Sequence, residues 1–140
     1  MTIREIKSNN NSINIGLLMK DKVLQELLNK YKDHPDFLGM NLDTPNDKGA
    51  VDDTPLHIAS RRGDVEDIIL FIKYGADINQ KGDLDNTPLH FAAMTNNLEV
   101  AKTLLNNGAI KKIRNEFDQT PLEVAKLNTI VNKELINILQ

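Results

Sequence analysis

Cysteine and tryptophan are both absent from this 140-residue chain. The first absence excludes thiol nucleophiles, disulfides and thiolate zinc sites. The second, with only four phenylalanines and two tyrosines, leaves too few flat rings for a base-stacking platform or a large aromatic pocket. An excess of basic charge is lacking as well. Seventeen Lys and Arg residues stand against 20 acids, a net charge of −3, whereas a protein that coats nucleic acid needs cations to displace counterions. No apolar run approaches the roughly 20 residues that span a bilayer. The polar start MTIREIKSNNNS has no apolar signal-peptide core. A cytoplasmic chain without nucleic-acid or membrane partners is expected.

What is present is repetition. TPLHIA starts at Thr54, TPLHFA at Thr87 and TPLEVA at Thr120, a step of 33 residues each time. The flanks keep the same register: Gly75-Ala76 matches Gly108-Ala109, and Asn46-Asp47-Lys48-Gly49 matches Asn79-Gln80-Lys81-Gly82. Self-similarity at this period marks a stack of small units, each unable to bury its apolar face alone.

The repeated hexapeptide reads as the start of a helix. Thr is a good N-cap because its hydroxyl can satisfy an amide of the first turn. Pro follows at the position where no amide partner is needed. In Thr120-Pro-Leu-Glu123 the acid completes a capping box, while His57 and His90 stand at that place in the other two copies. Leu56, Ala59, Leu89, Ala92, Leu122 and Ala125 then make a buried stripe. Second helices are expected over Val65–Tyr74 and Leu98–Asn107, each stopped by a glycine, Gly75 or Gly108. The third copy keeps register only with one extra residue near Asn128–Val131. Upstream, Leu17, Leu24, Leu28 and Tyr31 have helical spacing within residues 17–32, which predicts a helix covering the first unit. Pro35 and Gly39 break the short element that follows, where His34 reads as solvated.

These residues resemble the ankyrin-repeat family over about residues 46–140. The resemblance implies an all-α solenoid of paired antiparallel helices with β-hairpin fingers, an N-terminal capping helix and a truncated C-terminal capping repeat. The implied layout is a flexible tail at 1–14 and one domain at 15–140, divided into an N-cap at 15–45 and repeats at 46–78, 79–111 and 112–140. In the family the motif His bonds to the Thr and nearby backbone. Thr54, His57, Thr87, His90, Thr120 and Glu123 are therefore expected to be structural.

No catalytic constellation is legible. His57 and His90 are committed to their turns, so no metal and no cofactor is expected, and no Ser or Thr has a neighbour that would activate it. The resemblance implies a non-catalytic protein-binding module. By register, its partner surface comprises the fingers, with Val51, Asp52, Asp53, Asp83, Leu84, Asp85, Asn86, Glu116, Phe117, Asp118 and Gln119. It continues onto the first-helix ends, with Arg61, Arg62, Met94 and Thr95. Val51, Leu84 and Phe117 recur at one step, and so do Asp52, Asp85 and Asp118. The acids have two readings: a comb for a basic partner surface, or turn residues that tolerate a left-handed backbone. The apolar tips read as a contact patch or as side chains packed against neighbouring fingers. The Arg pair reads as a contact or as a solvated face.

DFLG…NDKG…DTPLHIA is also similar to small bacterial ankyrin proteins, some of which are immunity proteins that neutralise a toxin. That similarity implies an inhibitor with a toxin domain as partner; separately, the chain is expected to be a monomer when free. A structural adaptor or assembly subunit is the reading from another class, and an enzyme or metal protein is a remote third.

Overall fold

The computed structural model describes residues 3–140, with side chains from Ile15 onward except Leu17. Seven helices follow in order: α1 (Ile3–Asn29), α2 (Pro55–Arg62), α3 (Val65–Lys73), α4 (Pro88–Met94), α5 (Leu98–Asn106), α6 (Pro121–Ala125) and α7 (Lys133–Leu139). The pairs α2–α3, α4–α5 and α6–α7 stack side by side. Helices α2, α4 and α6 form one layer, α3, α5 and α7 the other, and α1 lies against α3. This is the expected solenoid of three helical pairs.

The stack follows from the apolar stripes. Leu56, Ala59, Leu89, Ala92 and Ala125 are buried, and Leu122 is half-buried. The second layer contributes Ile68 and Phe71, then Val100, Ala101 and Leu104, then Leu135 and Leu139. The small Ala positions let α2, α4 and α6 approach one another closely. The helix-closing glycines Gly75 and Gly108 have φ of 93° and 98°, the left-handed region in which a Cβ is strained.

Three expectations change in detail. The helix expected over 17–32 ends at Asn29 and begins upstream, at Ile3. The expected flexible tail at 1–14 falls on residues whose side chains lie outside the described part, and their backbone from Ile3 on is helical. His34 is not merely solvated: its Nδ1 accepts from the Asp36 amide at 3.2 Å and caps the turn that buries Phe37. The third repeat takes two extra residues instead of one. The second-helix N-caps are Asp64, Asn97 and Asn132, and the last step is 35 residues. Helix α6 stops after five residues, so the link Leu127–Val131 must cover the remaining distance. Leu139 then occupies the place of Leu104.

The fingers are also simpler than β-hairpins. Among the described residues no strand forms. Each finger closes with one backbone bond: Gly49 N to Asp53 O (2.8 Å), Gly82 N to Asn86 O (2.9 Å) and Asn115 N to Gln119 O (3.0 Å). The carbonyls beside two of these closures also serve the preceding repeat. The His57 Nε2–H donates to Gln80 O at 2.8 Å and to Asn86 O at 3.1 Å.

The other two repeated glycines serve clearance, not backbone freedom. A Cβ on Gly49 would lie 2.6 Å from the Asp36 carbonyl oxygen, and one on Gly82 would meet the Asp53 carboxylate and the His57 ring. Gly82→Ala therefore costs about 1–3 kcal/mol in urea unfolding, as overpacking does. Gly16→Ala, with nothing within 4 Å of the added carbon, serves as the control and costs nothing. A silent Gly82→Ala would mean that the repeats are not pressed together there.

Candidate functional site

The fingers are fastened to one another in a row. The Asp83 amide donates to Asp53 Oδ1 at 2.8 Å, joining the first finger to the second. Asn115 Nδ2 donates to Asn86 Oδ1 at 3.0 Å, and the Glu116 amide donates to Leu84 O at 3.0 Å, joining the second to the third. The first finger is held to the N-terminal cap by Ala50 N to Asp36 O at 2.7 Å. The Asp53–Gly82 and Asn86–Asn115 pairs show how the joint is adapted. Where the earlier repeat offers a carboxylate, the next has a bare glycine and an amide; where it offers an amide side chain, the next answers with a side-chain amide.

This places the expected contact residues in two groups. Val51, Leu84 and Phe117 project at 41, 43 and 63% exposure. They are not packed away between neighbouring fingers, so that alternative fails. Asp53 and Asn86, expected to face a partner, are instead fully buried and hold repeat to repeat. Their burial depends on the neighbouring finger lying against them.

The acids are shared between turn and surface. Asp52, Asp85 and Asp118 have φ of 67°, 58° and 59°, so the left-handed reading of this row is correct as far as it goes. Lys81 Nζ lies 3.7 Å from Asp85, and Arg114 Nε lies 3.8 Å from Asp118. Asp83 is half-buried, while Glu116 is exposed. With Lys81 opposite Asp85 and Arg114 opposite Asp118, the second and third fingers each retain one acid in excess.

At the helix ends, Arg61 donates to Asp53 Oδ2 at 2.8 Å, and its guanidinium lies 4.3 Å from the centre of the Phe91 ring. Arg61 thus spans the first two repeats while part of it stays in water. Arg62 lies 5.6 Å from the ring of Tyr31, in the turn that follows α1. Met94 and Thr95 are exposed, although the Thr95 hydroxyl is spent on Phe91 O at 2.9 Å. Gln119 is half-buried. Phe91 was missed as a joint residue. Its place is aliphatic in the first repeat, and only the position of Arg61 reveals its second role.

The motif residues serve the scaffold. His57 Nδ1 accepts from the Thr54 amide at 3.0 Å, and His90 Nδ1 from the Thr87 amide at 3.0 Å. Each Nε2–H then crosses to the next repeat: His57 as above, and His90 to Gln119 O at 2.9 Å. Burial, opposed by smaller effects, pushes both imidazoles below their ordinary value, so they remain neutral and keep Nδ1 as the acceptor for the Thr amide. Glu123 reproduces only the local half, accepting from the Thr120 amide at 3.0 Å, with Arg114 at 3.4 Å.

Little here suits chemistry. Among the described residues no group of three His, Asp or Glu side chains is placed to hold a metal ion. A shallow depression of about 490 Å³ lies beside Tyr31, Arg62, Asp64 and Asp67. Its central groups are already joined: Asp67 accepts from the Tyr31 hydroxyl at 2.7 Å and from Lys30 Nζ at 2.8 Å. Burial first, then Asp67, keeps the Tyr31 hydroxyl well above the ordinary phenol range. No described helix is long and apolar enough to cross a membrane.

A three-pair solenoid with a fastened row of fingers defines a repeat scaffold. The family model described as ankyrin repeats (3 copies) matches over residues 20–115 and again over 56–139, and the chain belongs to that family. Ankyrin repeats are generally protein–protein interaction modules. No curated protein matches the chain significantly.

Proposed function

We propose that this chain is a non-catalytic cytoplasmic module that holds a partner protein along its fingertip edge and the adjoining helix ends. The exposed row Val51, Leu84 and Phe117 carries the reading. Leaving apolar area in water forgoes roughly 25 cal/mol per Å², and here three such side chains stand in line on turns fastened to one another. Fixed turns lower the ordering cost of binding. The partner offers an apolar strip flanked by basic groups, which meet the acidic row Asp52, Asp85 and Asp118 with Asp83 and Glu116 beside it. Arg61, Arg62, Met94, Thr95 and Gln119 extend the contact toward the helix ends.

The similarity of DFLG…NDKG…DTPLHIA to small bacterial ankyrin proteins supports a narrower form of the proposal. In that form the partner is a cationic toxin domain, holding it inhibits it, and the chain is a monomer when free. A stable homo-oligomer formed through the fingers would instead mark an assembly subunit.

The left-handed backbone sets the design of the test. Lys at Asp52, Asp85 and Asp118 would combine charge reversal with backbone strain. Gly keeps the turn and removes only the carboxylate. In a pull-down from the native source followed by titration of the recovered partner, Asp52→Gly with Asp85→Gly and Asp118→Gly weakens binding about tenfold or more while helical circular dichroism is unchanged. Phe117→Ser does the same by removing an apolar anchor. If both variants bind as tightly as the parent chain, the fingertip edge is not the site.

A further inference from the structure

At the place of Leu127 the second repeat has exposed Met94 and the first has Arg61; the α6–α7 turn differs from both in the insertion that follows, which adds Ile130 and Val131. The link after α2 is Gly63-Asp64, and the link after α4 is Thr95-Asn96-Asn97; both are polar. The third contains the two-residue insertion and exposes Leu127 at 70%, Ile130 at 79% and Val131 at 47%. Ile130 and Leu127 are more exposed than any finger residue in the apolar row.

The turn is held in place. Asn128 Nδ2 donates to Ala93 O at 2.9 Å, and Asn96 Nδ2 donates to Ile130 O at 3.3 Å. Asn132 caps α7, accepting from the Leu135 amide at 3.1 Å. These bonds fix the apolar side chains outward instead of letting the insertion fold them against the core. Fixed exposure of this kind costs solvation and serves contact.

Charge identifies the occupant. Lys126 precedes the apolar residues and Lys133 follows them; both are exposed, and among the described residues neither has a carboxylate within ion-pair distance. Nearby, Lys102 and Glu134 neutralise each other at 2.8 Å. The turn is therefore an apolar knob between two uncompensated cations, on a chain whose net charge is −3. The fingertip edge has the opposite balance.

We propose that the α6–α7 turn is a second docking point, separate from the fingertip edge, and that it takes an acidic amphipathic segment of a partner protein. Its carboxylates meet Lys126 and Lys133 while its apolar face covers Leu127, Ile130 and Val131. The two docking points then select opposite charges, so a partner that engages both must be polarised along its length.

Two short labelled helical peptides with the same leucine stripe, one edged with glutamate and one with lysine, test this by fluorescence anisotropy. The glutamate peptide binds at least about tenfold more tightly. Leu127→Ser with Ile130→Ser removes that binding, and Phe117→Ser leaves it unchanged, which separates this site from the fingertip edge. Lys126→Glu with Lys133→Glu keeps the apolar residues and reverses the preference between the peptides. Equal binding of the two peptides, binding of neither, or loss of binding with Phe117→Ser overturns the proposal. So does preferential sedimentation with phosphatidylserine vesicles, or a dimer in light scattering that Ile130→Ser abolishes.

Discussion

Leu89→Ala lowers the stability of the chain by about 2–5 kcal/mol, the cost of removing a fully buried leucine that its neighbours cannot replace. Leu89 lies in α4, which packs against α2 on one side, α6 on the other and α5 behind. Both inter-repeat interfaces therefore border the cavity. Repeat stability is a sum of unit terms and neighbour terms, so a defect in the middle unit weakens two neighbour terms together. The equivalent change at half-buried Leu122, in the last unit, affects only one and costs less. Urea unfolding followed by circular dichroism gives both values. Equal costs for the two variants, or a Leu89→Ala cost near zero, would show that the middle pair does not carry the stack.

Acid loosens the same two interfaces. His57 and His90 are buried and neutral, each accepting a Thr amide at Nδ1 and donating from Nε2 to the next repeat. A protonated ring has no acceptor left for the Thr amide. Burial, the largest cause in both, sets their folded values below the ordinary 6.5. The unfolded chain thus binds protons at a pH where the folded chain does not, and stability falls as pH drops. The histidine contribution is complete above about pH 6.5, where the unfolded rings are neutral, and is lost progressively below it. Each histidine adds a positive slope in that window, bounded above by the one-proton limit of about 1.4 kcal/mol per pH unit. Two act together, so stability measured between pH 7.5 and 5.5 declines with a slope that replacement of both by Gln removes. A slope that survives in the double Gln variant would assign the acid sensitivity to carboxylates instead.

The order of the stack was legible because its signals are local. A Thr-Pro pair starts each first helix, a left-handed glycine closes two of the second helices, and the 33-residue step makes neighbours of residues far apart in the chain. The fates of Asp53 and Asn86 were not legible. Each is an ordinary polar turn residue until the next finger covers it, and burial of that kind is a property of two repeats in contact. The left-handed acids could be anticipated, since Asp tolerates that conformation better than most side chains, but their ion pairs depend on rotamers. The length of the insertion in the third repeat was underestimated because Leu135 and Ile138 accept either register; only the capping of α7 by Asn132 distinguishes them. The exposure of Ile130 and Val131 is not legible in the sequence because it depends on that insertion.

The joint made by His57 and His90 governs how the protein can be lengthened. A copy of the middle unit inserted beside the original would find an imidazole waiting on the earlier side and would present its own to the next. A unit grafted after Gln140 would find Glu123, an acceptor facing carbonyl acceptors, and a turn two residues too long. The scaffold is open to growth from within and closed to growth at that edge, until Glu123 is exchanged for a donor and the turn is shortened.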